Sequence, residues 1–152
     1  MGGIDISPGI TGNVMLYRSN VSKNKVNQLI KLFFIKYPLY KVPSKYLEYT
    51  LPYSFGSDSL NKANPLNSDS TNFFFYLRDE DIVLRTGLSG GQENWDQDNA
   101  ILALIGIVGA NKTWSYGKEM TEIDREKIRD LFEKEILSKL DLGNFTPIGQ
   151  VN

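Results

Sequence analysis

A chain of 152 residues with 41% hydrophobic content is one ordinary domain, large enough to bury about two thirds of the surface its unfolded form exposes. It contains no cysteine and no histidine, which excludes disulfides, thiol nucleophiles, thiolate or imidazole metal sites and the commonest general base. The net charge of −1 conceals an asymmetry, because residues 1–76 carry eight Lys or Arg against four acids and residues 77–152 carry nine against fourteen. Halves of opposite sign attract each other within one domain, and no Lys/Arg run is dense enough to expect a nucleic-acid partner.

Taken in order, residues 1–13 (MGGIDISPGITGN) are rich in Gly, Ser and Pro and lack the charged and apolar regions of a signal peptide, so they read as a flexible tether. A single domain over 14–143 follows. Val14 to Tyr17 form a short first strand, and Ser19, Asn20 and Ser22 are N-cap candidates for a helix. Val26, Leu29, Ile30, Phe33, Phe34 and Tyr37 recur at helical spacing with lysines around them, and Pro38 ends the run. This aromatic stripe is core, since an amphipathic helix must bury such a face to be stable. Pro38, Pro43 and Pro52 forbid a long helix in the next segment, which reads as an extended edge around Tyr46 to Leu51. Residues 57–71 are nearly free of apolar side chains and form a loop.

The stretch NFFFYLRDEDIVLRTGL is a β-hairpin. With a turn centred on Glu80 and Asp81 and an even loop, Phe73, Phe75, Leu77, Ile82, Leu84 and Leu88 share one face; an odd loop would divide them between both. The other face carries Phe74, Tyr76, Arg78, Val83 and Arg85. After a Gly-rich turn, the β-branched run from Ile101 to Val108 favours a buried central strand over a short helix. Its length, from Ala100 to Gly109, is far below the roughly 18 apolar residues of a membrane span, so no transmembrane segment is expected. Thr121 and Asp124 open a second amphipathic helix with a stripe of Ile128, Leu131, Phe132, Ile136 and Leu140, and Gly143 sits where a C-terminal cap belongs. Residues 144–152 read as a tail. Phe75, Leu84, Ile105 and Phe132 are expected to be buried together.

Aromatic and arginine side chains are enriched at binding hot spots. Phe74, Tyr76, Arg78 and Arg85 are therefore the candidate site for a protein or small polar ligand, with Tyr76 and Arg85 side by side and partly open. The alternative is that the first strand or Tyr46 to Tyr53 covers that face. Glu93, Asp96 and Asp98, with Asn99, are the best hard-cation ligands, but the spacing lacks the central Gly and closing Glu of a helix-loop-helix calcium site. Asp79, Glu80 and Asp81 at a hairpin tip would be solvated and lack the burial that separates the pKa values of a catalytic pair. No catalytic residue and no cofactor is expected.

The Gly-rich start, GNVMLY, KYPLYKVP, the FFFY hairpin, GLSGGQENW, AILALIGIV and the final amphipathic helix, in that order, resemble small, uncharacterised lipoproteins of the bacterial envelope. The lipid-bearing Cys is absent from the chain, so the resemblance implies a native precursor in which that Cys lies just before Gly2 and residues 2–12 hold the domain off the membrane. It implies location and architecture, and no activity. The expectation is an α+β domain: an antiparallel sheet of about four strands, two amphipathic helices on one face, and the aromatic segment at an edge or across the other. Its expected role is non-enzymatic binding or assembly in the cell envelope, with a cytoplasmic immunity-type protein that neutralises a toxin through the acidic second half as the alternative.

Overall fold

The computed structural model describes residues 13–50, 72–88, 100–140 and 145–149. It is an α+β fold around an antiparallel sheet of six strands, with strand order β2-β3-β4-β1-β6 and a short β5 added to β4. In chain order these are β1 (Met15–Ser19), α1 (Lys23–Lys36), α2 (Leu47–Thr50), β2 (Asn72–Leu77), β3 (Ile82–Leu88), β4 (Ile101–Val108), β5 (Ser115–Tyr116), α3 (Glu122–Glu135) and β6 (Phe145–Gly149). β4 is central: β3 pairs along one of its edges, and β1 and β5 share the other.

α1 begins where Ser22 accepts a hydrogen bond from the Lys25 N–H at 3.1 Å, and it ends at Tyr37, whose N–H returns to the Phe33 carbonyl before Pro38. Its buried stripe is Val26, Ile30, Phe33 and Phe34. Lys23 and Lys31 are also buried, with Asn27 between them, so the buried side of α1 is wider than its apolar stripe and these two lysines leave the solvated face. α3 starts at Thr121, whose hydroxyl accepts from the Asp124 N–H at 3.1 Å. Ile128, Phe132, Ile136 and Leu140 are buried beneath it, while Leu131 is only half-buried. The proposed cap at Gly143 lies outside the described residues.

α1 and α3 pack on one face of the sheet in a single apolar cluster. Phe75 is at its centre: its ring stacks on Phe34 at 5.1 Å, meets Phe33 edge-on at 5.5 Å and lies 6.3 Å from Phe132. Leu84 joins this cluster, but Ile105 does not. Strand alternation turns Leu104 toward the helices and Ile105 to the opposite face, where it packs with Leu16 and Ala103. Ile105 is also the extra residue of a bulge, since Arg85 pairs with Gly106 and Thr86 with Leu104.

The opposite face is covered by the aromatic segment, with Val42 and Tyr46 packed over Phe74, Val83 and Val108. That segment is not an extended edge as far as Thr50; it makes a 3-10 turn over Ser44–Tyr46 and then α2. Pro43 lies just before the turn and the next proline is Pro52, so the residues between are free to coil. Two boundaries also move. Asn13 is buried and belongs to the domain, and five residues of the supposed tail form β6 beside β1. Pro147 has no N–H to give a second neighbour, which suits this outermost position.

Candidate functional site

The hairpin has an even loop, the four residues 78–81 between the paired Leu77 and Ile82. The turn is centred one residue earlier than the Glu80–Asp81 midpoint, which shifts every cross-strand partner by two and leaves the faces unchanged. Asp81 closes the loop at a φ of 57°, a left-handed conformation that Asp tolerates better than most residues, and its N–H bonds back to the Leu77 carbonyl at 2.8 Å.

Asp81 is also where the aromatic segment is fastened. Its carboxylate accepts from the Tyr76 hydroxyl at 2.8 Å and pairs with the Lys45 ammonium at 2.8 Å, while its backbone carbonyl accepts from Tyr46 at 3.1 Å. The hydrogen bond from Lys45, followed by that from Tyr76, holds the Asp81 carboxyl below the usual range. Partial burial, then the bond to Asp81, raises Tyr76 in turn.

Of the four residues of the expected site, Phe74 and Arg85 are cross-strand partners, and Arg85, like Tyr76, stays partly open. Phe74 is fully buried beneath Trp114, with ring centroids 5.8 Å apart. Tyr76 is half-buried against Tyr46 at 6.0 Å and committed to Asp81. Arg85 lies over Trp114 at 5.9 Å and donates to the Tyr116 hydroxyl at 3.3 Å. Arg78 is exposed on the loop. The face is thus partly covered by the aromatic segment and by residues around β5. Glu93, Asp96 and Asp98 lie outside the described residues, and among those described no group of three or more acids could hold a metal ion.

Among the described residues, an open concave surface lies where the ends of β3 and β4 meet α3. A groove of about 450 Å³ has a floor of Ile82, Ile107, Met120, Ile128 and Leu131, and a rim of Glu80, Glu119, Asp124 and Lys127. Ile82, Ile107, Met120 and Leu131 are all only half-buried. The Arg125 guanidinium fixes one wall, donating to the carbonyls of Gly117 at 3.0 Å and Met120 at 2.9 Å. Glu119 is held by the Tyr116 N–H at 2.8 Å, so this carboxylate is anchored at the rim. Beyond Glu80 a smaller depression of about 140 Å³ continues past Leu39, Tyr40, Leu77, Asp79 and Glu135. Tyr40 donates to Glu135 there at 2.8 Å, and burial, then this bond, pushes its hydroxyl up to about 12.

An apolar floor inside a mainly acidic rim can desolvate apolar side chains while attracting cationic ones. Its members come from the hairpin tip, the end of β4 and one side of α3, which no local pattern brings together. The available signals were the acidic run Asp79 to Asp81 and the position of Leu131 at the margin of the α3 stripe.

Comparison with family models, with curated proteins and with solved structures finds no match.

Proposed function

We propose that this is a non-enzymatic protein-binding domain that seats a basic, apolar-faced segment of a partner in the groove between the hairpin tip and α3. The observation that carries this reading is the groove itself: apolar side chains of the sheet end and α3, most of them half-open, ringed by Glu80, Glu119 and Asp124 against Lys127. Oppositely charged rims steer encounter and set orientation, and buried apolar floors supply affinity. The test is capture on the immobilised domain and on a Glu80→Lys/Leu131→Lys variant. A basic protein retained by the parent, released by salt and lost by the variant supports the reading; equal retention by both contradicts it.

The envelope location implied by the sequence resemblance belongs to the same proposal, with a lipid tether in the native precursor. Fractionation and fatty-acid labelling of that precursor test it, and an unlabelled, cytosolic product would contradict it. The acidic rim also favours a second reading, a cytoplasmic immunity-type protein that covers a basic toxin. Protection of cells expressing the cognate toxin, lost with Glu80→Lys/Leu131→Lys, would support this alternative.

A further inference from the structure

Five large apolar side chains stand exposed among the described residues, and Leu32, Ile35 and Leu39 are three of them, at 46%, 57% and 64% of full exposure. Leu32 and Ile35, three residues apart, lie on the side of α1 away from the buried Ile30 and Phe33, and Leu39 stands in the separate 3-10 turn Pro38–Tyr40 that follows the non-helical Tyr37. Lys25 and Lys36 are exposed on α1 as well, and no acidic residue occurs from 13 to 47.

We infer that this crest of α1 lies on an anionic lipid surface. Protein hot spots favour Trp, Tyr and Arg, and protein interfaces are depleted in Lys. Exposed aliphatic side chains edged by lysines are the composition of a helix lying in a membrane interface, where the apolar side enters the headgroup boundary and lysine stems reach back to the phosphates. The crest is convex, which suits a flat, deformable surface. Asp79 and Glu80 border the Leu39 end, so contact runs along the length from Lys25 to Lys36 with Leu39 at its margin. Lys25, Leu32, Ile35 and Lys36 line neither the acidic groove nor the depression beyond Glu80, which only Leu39 of the crest borders.

The experiment is co-sedimentation of the full chain with vesicles of phosphatidylcholine, alone or mixed equally with phosphatidylglycerol. The protein is expected to pellet with the anionic vesicles only and to be released by high salt. Since each lysine near such a surface contributes about fivefold, Lys25→Gln/Lys36→Gln should weaken partitioning about 25-fold. Leu32→Gln/Ile35→Gln should weaken it by about tenfold or more. These four positions are exposed, so melting temperatures should stay near that of the parent, and either pair suffices if the other misfolds. A parent that stays in solution with both vesicle types, or variants that partition like the parent, overturns the inference. Light scattering that shows self-association abolished by Leu32→Gln/Ile35→Gln overturns it in favour of a second copy of the chain.

Discussion

Asp81 bears more of the hairpin tip than any other side chain, since it closes the loop and fastens Lys45, Tyr46 and Tyr76 to it. Its carboxyl is held below the ordinary aspartate range. The stabilisation is therefore fully present above the unfolded-state value of about 4 and is lost as pH falls through the lower folded value. Asp81→Asn should accordingly flatten the acid side of a melting-temperature profile, and a slope equal to that of the parent would remove Asp81 from this role. Gly106 is a second singular residue: a Cβ there would press on the Ser115 carbonyl and come within 2.9 Å of the Tyr116 ring. Gly106→Ala should cost about 1 to 3 kcal/mol in urea unfolding and loosen β5. Gly106 stands inside the apolar run of β4, and the long-range pairing with β5 shows why a glycine is needed there.

Among the elements, the hairpin was the most readable, because period-two burial and an even loop leave one assignment of faces. The loop centre was less readable, since a shift of two in pairing keeps every side chain on its face. The partners that cover each face come from distant segments, which is why Phe74 looks like a surface residue in isolation and is enclosed in the fold, while Arg85 is half-covered beside Trp114. Phe75→Ala should cost about 3 to 5 kcal/mol by urea unfolding, as it empties the contact between α1, α3 and the sheet; a midpoint like the parent's would contradict that placement. α3 is also tied to its neighbours by two tyrosines: Tyr17 donates to Glu133 and Tyr40 to Glu135, both at 2.8 Å. Burial, then these bonds, raises both hydroxyls. Their contribution is complete below the unfolded-state value of about 10 and is lost as pH climbs through the folded values. Tyr17→Phe/Tyr40→Phe should reduce the alkaline fall in melting temperature; an unchanged fall would show that other groups cause it.

At the scale of the molecule, the α+β class and the placement of both helices follow from apolar periodicity, whereas β6 was hidden because FTPIG is short, carries a proline and occupies an outer edge. The groove was hidden for a different reason. Its floor joins residues near 82, 107, 120 and 131 that share no sequence pattern, and its rim acids look like ordinary solvated charges until the fold gathers them. The charge asymmetry of the two halves is likewise expressed as two surfaces, a basic apolar crest on α1 and an acidic groove against α3. Backbone amide chemical shifts recorded during titration with a synthetic amphipathic peptide of leucine and lysine test the groove most directly. Saturable shifts centred on Glu80, Ile82, Ile107, Met120 and Leu131, and weakened by Glu80→Lys, are the predicted result; no shifts, or shifts centred on Phe74, Tyr76 and Arg85, would contradict it.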